Sequence, residues 1–222
     1  MQLSLLRNVF AAGLLSAALA FAQGPGGTIY KVSVTNITKG QIISPVIVAT
    51  HTDTAPPLWK VGAPASEELR MVAEDAMNDA MVAKLGSLAE VLDVKVIMGA
   101  GGPIMPGETA SVELEFTGPY RWVSAVGMLV TTNDAFTGLN AVRGPNVGAG
   151  EHLAPAYDAG TEANTEMCAE IPGPPCGNVG VRMTEGAEGY VYIHPGISGE
   201  GDLTESGYDW RNPVAKFVIE RL

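Results

Sequence analysis

Asp158 and Glu162 stand four residues apart in the stretch "PAYDAGTEAN", Pro155 to Asn164, on either side of a turn-forming Ala159-Gly160-Thr161. Two carboxylates crowded into a chain already rich in acid repel one another unless a positive guest lies between them. Gly160 discourages helix, and a turn there folds the chain so that both side chains point into one space. A third acid, Asp134, occurs in "TTNDAFTGLN", with Phe136 two residues on to anchor its loop. Calcium takes six to eight oxygens, from carboxylates and carbonyls alike, and tolerates irregular geometry. Loops supply both kinds of oxygen. The EF-hand spacing is absent, and the competing reading of the same residues is a set of solvated loop acids.

Other constellations point less sharply. The three histidines, His51, His152 and His194, lie far apart in sequence, with no HExxH and no GxSxG. His194, in "YIHPG", reads as a turn or packing residue. The glycines of "GAGGPIMPG" resemble a phosphate loop only superficially, because Pro103 and Pro106 interrupt the helix such a site needs. A carboxylate pair could do glycosidase chemistry. The alternative to a binding module is therefore a secreted hydrolase using two acids or a metal-bound water. Cys168 and Cys176 flank "AEIPGPP" and are the only cysteines. One disulfide across this short loop is the expectation, since a two-thiolate metal site would want CxxC spacing and a nearby histidine.

The elements that must position these residues follow from patterning. Arg7 precedes an apolar run from Val9 to Phe21 that ends small-x-small at Ala20-Phe21-Ala22, a secretory signal over residues 1–22. The run is shorter than the ~20 apolar residues that span a bilayer, so no membrane span is expected. Residues 23–222 then suit one exported domain, extracellular or periplasmic. The chain carries 24 acidic against 13 basic residues, a net charge of −11, which excludes nucleic acid as a partner and favours cations. Short runs rich in β-branched and aromatic residues, "TIYKVSVTN", "IISPVIVAT", "DVKVIMG", "ASVELEFT", "RWVSAVGMLVTT", "GNVGVRMT", "GYVYIHPG" and "VAKFVIERL", read as strands between turn signals. About eight such strands predict an all-β antiparallel sandwich. One segment differs: Leu69, Val72, Ala73, Ala76, Met77, Ala80 and Met81 form a helical stripe behind the N-cap Ser66, with a break into two short helices an alternative near Asn78. From about Asn133 to Asn178 the chain reads mostly as loop; loops that long are usually functional or disordered, and the acids of "PAYDAGTEAN" within it favour function.

At the acidic loops a family likeness emerges. "NDAFTG" followed by "YDAGTE" resembles the paired loops of spondin domains, where PDWFVG-like and YDAGTD-like motifs carry the acids that hold one calcium ion. "SPVIVATH", "VGAPASEEL", "CAEIPGPPCG", "EGYVYIHPGISGEGDL" and "DWRNPVAKF" are similar to bacterial spondin-domain proteins, so the likeness covers residues 28–222. It implies a C2-like antiparallel β-sandwich with one or two short helices packed on it and calcium at one loop-bearing end. Asp134 matches the acid of the first loop, and Asp158 and Glu162 match the acids of the second. Asn133 stands where proline is usual, Ala135 replaces a tryptophan and Glu162 an aspartate. The implied role is non-catalytic: a secreted adhesion or ligand-binding module whose partner is a cell-surface or matrix ligand.

Overall fold

A computed structural model describes residues 26–222, so the signal segment expected over residues 1–22 lies outside the described residues. Strand β1 (Thr28–Asn36) occupies the run read from the sequence, and its alternation buries Tyr30, Val32 and Val34 on one face. It sits between β10 (Ala215–Arg221) and β4 (Thr109–Phe116), with β7 (Ala149–Ala154) beyond β10, all antiparallel. The second antiparallel sheet runs β3 (Val91–Ile97), β2 (Val46–His51), β5 (Trp122–Met128), β6 (Ala135–Arg143), β8 (Ala156–Asp158) and β9 (Tyr192–Ile193). The fold is thus an all-β sandwich. Val32, Val34, Leu114, Phe217 and Ile219 from the first sheet meet Val46, Val48, Ile97, Val123 and Leu139 from the second in the central core.

The second sheet is covered on its other face as well. Helix α1 (Glu67–Asp75) is capped by Ser66, whose hydroxyl accepts from Leu69 N at 3.3 Å. It ends at Ala76 in the left-handed region (φ 56°), and α2 (Asp79–Gly86) follows, so the stripe is two short helices. Leu69, Val72 and Ala73 of α1 and Met81 and Leu85 of α2 pack on Ile47, Ala49, Val126 and Phe136. Met77, placed on the stripe by its spacing, falls in the break and is half exposed.

Strand boundaries depart from expectation at three places. Asn133 to Asn178 holds three strands, β6, β7 and β8, that the loop expectation did not include, although more than half of its residues lie outside them. Residues Ala135 to Leu139 of β6 are all buried, because one face meets the opposing sheet and the other the helices, and burial on both faces erases alternation. Conversely "GNVGVRMT" is no strand: Gly177 and Gly180 adopt φ 94° and 76°, and Val179 and Val181 face solvent. The run "RWVSAVGMLVTT" is strand β5 only as far as Met128, with a single bridge from Leu129 to Ile43 beyond it, and Asp134 lies just before β6.

Candidate functional site

Sheet pairing brings the two acidic loops together. Ala135 of β6 is paired with Asp158 of β8, and Ala159 N continues the ladder to the Asp134 carbonyl at 3.2 Å. Beyond β8 the chain turns at Gly160, whose φ of 67° favours glycine, and a Cβ there would collide with the backbone of Tyr190. That turn wraps the Asp134 carboxylate. Its Oδ2 accepts from Thr161 N at 2.7 Å, Glu162 N at 3.0 Å and Thr161 Oγ1 at 3.1 Å. Asp158 Oδ1 accepts from Gly160 N at 2.6 Å and its Oδ2 from Asn164 Nδ2 at 2.6 Å. Glu162 Oε1 accepts from Met183 N at 2.9 Å.

All three acids are buried, Asp134 and Asp158 at 0 % exposure and Glu162 at 1 %. The reading as solvated loop acids therefore fails. Burial raises the Asp134 carboxyl well above its ordinary value, and the neighbouring Asp158 charge raises it further, against the pull of the Thr161 and Glu162 N–H groups. Burial likewise raises Asp158. Glu162 is pushed up to about 8, first by burial and then by the charges of Glu74 and Asp134. Each acid thus sits where ionisation costs free energy that its hydrogen bonds do not offset.

One atom stands out. Asp134 Oδ1 is buried without a hydrogen-bond partner, the only carboxylate oxygen among the four such side-chain atoms found in the described residues. A buried polar oxygen left unpaired costs about 1–3 kcal/mol, so a missing partner is the simplest physical account. The donor set is oxygen throughout, which suits a hard cation such as calcium. The acids are close enough to oppose one another's ionisation, yet among the described residues no three His, Cys, Asp or Glu side chains gather as a ready metal cage. A cation at Asp134 Oδ1 would draw part of its shell from carbonyls and water.

Several residues at this site carried no clear sequence signal. Asn164 and His194 back Asp158, with His194 Nε2 3.0 Å from Asn164 Oδ1. Asn133 Oδ1 accepts from Glu166 N at 3.3 Å, and the buried Glu166 carboxylate accepts from Ser198 N and Gly199 N at 2.5 and 2.8 Å. Arg182 reaches from the loop after the disulfide to Glu74 of α1, with Nε and Nη2 at 2.7 and 2.8 Å from its two oxygens. The partnership of Glu74 with a residue 108 positions away has no signature in spacing.

Cys168 and Cys176 are joined in a disulfide, as their spacing suggested. His51 Nε2 lies 2.9 Å from Ser124 Oγ, the spacing of a nucleophile and base, but both are buried and Ser124 Oγ also accepts from Ala141 N at 2.8 Å. That pair bridges the bulges where the β2 and β5 registers shift, which is a structural role. In "GAGGPIMPG" the Glu108 carboxylate already accepts from Ala100 N and Met105 N at 2.7 and 2.9 Å, so the protein's own side chain occupies the amides of the glycine-rich turn. A surface cavity of about 580 Å³ is open and lies elsewhere, against Lys39, Glu205, Trp210 and Arg211. Size alone does not make it the site: its carboxylates Glu205 and Asp209 are paired with Arg211, whereas the buried cluster has an unmet demand. Among the described residues no helix is long and apolar enough to cross a membrane. Comparison with family models and with curated proteins finds no match to the chain.

Proposed function

We propose that the protein is an exported, non-catalytic calcium-binding module of spondin type, in which one calcium ion ties the Asp134 turn to the Asp158–Glu162 turn and so shapes a loop surface for a cell-surface or matrix ligand. The observation that carries this reading is the buried, unpartnered Asp134 Oδ1 beside two more buried carboxylates with raised pKa values. The motif order "NDAFTG" then "YDAGTE" supports the spondin assignment, the antiparallel sandwich is compatible with it, and the disulfide suits an oxidising compartment. Asp134, Asp158 and Glu162 would hold the ion, with backbone carbonyls and water completing the shell. The ion would supply no reaction chemistry. It would neutralise the cluster and lock the two turns together.

A cation held at a hundred times its dissociation constant adds about 2.7 kcal/mol to folding stability, or roughly 5–10 °C in melting temperature for a domain of this size. Thermal unfolding of the mature protein in calcium and in chelator measures this directly. Asp158→Ala should remove the difference. Identical melting of the wild type under both conditions would remove the basis for the proposal.

A further inference from the structure

Behind Asp158 a hydrogen-bond relay runs inward whose every polarity follows from one backbone atom. Gly196 N donates to His194 Nδ1 at 3.0 Å, so Nδ1 is the acceptor nitrogen and the proton of the neutral ring resides on Nε2. Only glycine suits position 196, because its φ is 109° and a Cβ would collide with Asp209 Oδ1. His194 Nε2 then donates to Asn164 Oδ1 at 3.0 Å. That bond sets the Asn164 amide, whose Nδ2 donates to Asp158 Oδ2 at 2.6 Å and to Tyr192 Oη at 3.0 Å. Tyr192 in turn donates to Glu188 Oε1 at 2.8 Å. Flipping the amide would set its carbonyl oxygen against the Asp158 carboxylate and its NH2 against the His194 N–H, so only one orientation survives.

His194 is buried at 3 % exposure and rests against Trp210, with ring centroids 5.0 Å apart, which holds the imidazole in place. With Gly160 N on Oδ1 and Asn164 on Oδ2, both Asp158 oxygens have fixed directions. Partners behind a metal-binding side chain commonly change metal affinity ten- to a hundredfold when removed.

We infer that His194 and Asn164 are positioning residues of the cation site: the His194 Nε2–H orients the Asn164 amide, which holds Asp158 for the ion. This inference rests on the calcium reading above. Its probe is terbium as a luminescent stand-in for calcium, with calcium affinity obtained by competition and ion-bound waters counted from lifetimes in H2O and D2O. His194→Gln keeps an N–H donor at the reach of Nε2, whereas His194→Leu and Asn164→Ala break the relay. Expected are affinity near wild type for His194→Gln, and a loss of roughly ten- to a hundredfold with an added water on terbium for the other two. Nitrogen-15 spectra of the metal-free wild type should show His194 protonated on Nε2. Circular dichroism of each metal-free variant establishes folding, and if His194→Leu does not fold, Asn164→Ala against His194→Gln decides the matter. Unchanged affinity in the relay-breaking variants, or His194→Gln losing as much as they do, overturns this inference alone. A wild-type protein that binds neither ion overturns the calcium reading and this inference together.

Discussion

Asp134 has two oxygens in opposite circumstances, Oδ2 with three donors and Oδ1 with none. Replacing it by asparagine separates its two contributions. The amide oxygen of Asp134→Asn can still accept from Thr161 and Glu162, while the buried negative charge beside Asp158 is gone. In chelator at pH 8 the variant is expected to be at least as stable as wild type and up to roughly 1–2 kcal/mol more so, on the scale of an unpaired buried polar group. In calcium it should fall below wild type, because the ion has lost its buried oxygen. Denaturant titrations under both conditions check the crossing. A variant less stable than wild type in chelator and calcium alike would make Asp134 an ordinary structural acid.

At the scale of elements, the segment from Gly180 to Met183 is tied at both ends. Gly180 N donates to Asp75 Oδ1 at 2.8 Å, and Arg182 forks onto Glu74, a carboxylate 2 % exposed that also receives Arg70. Met183 N reaches Glu162 Oε1, and its carbonyl accepts from Ala163 N at 2.8 Å. Helix α1, this loop and the acidic turn are therefore one hydrogen-bonded unit, although no strand pairing joins them. Arg182 is partly exposed, so solvent screens part of its ion pair. Arg182→Ala should cost no more than about 1–2 kcal/mol in global stability while speeding amide exchange at Ala163 and Met183 severalfold. Exchange at those two amides unchanged from wild type would show that the tether does not hold the turn. The disulfide acts on the preceding loop: with its ends only 8 positions apart, replacing Cys168 and Cys176 by serine should lower stability by about 2–3 kcal/mol in equilibrium unfolding.

For the whole molecule, the buried acids shape the response to pH. Asp134, Asp158 and Glu162 are all raised above ordinary values of 3.8 to 4.5, by burial first, with Glu162 at about 8. Each binds its proton more tightly folded than unfolded, so its contribution is full below the ordinary value and is lost as pH rises toward 8. His194 acts in the other sense: burial pushes it down to about 4, so its contribution is present above 6.5 and is lost as pH falls. Between pH 6.5 and 8 only the carboxylate trend operates among these groups. The metal-free melting temperature is expected to fall across that window, and saturating calcium should flatten the slope by occupying the cluster in its ionised form. A flat profile in chelator, read by calorimetry at constant ionic strength, would contradict the electrostatic account.

The amino-acid order by itself determined the two central strands of the first sheet and the identity of the acids. The alternation of "TIYKVSVTN" and the apolar run "VAKFVIERL" gave β1 and β10 almost to the residue, because each buries one clean face. Ser66 and the stripe behind it gave the helices, and the short cysteine loop gave the disulfide. Glycine at 160 between two acids marked the turn, since local chain chemistry is enough to make one. Tertiary structure decided the rest. Strand β6 is buried on both faces and shows no period, so its existence depends on the helices and the opposite sheet closing over it. Burial of the three carboxylates, the unpartnered oxygen of Asp134, and the placing of His194, Asn164 and Arg182 around them all join segments tens of residues apart. Such contacts arise only when the sheets assemble, because desolvation and long-range hydrogen bonding belong to the folded whole and to no local stretch of sequence.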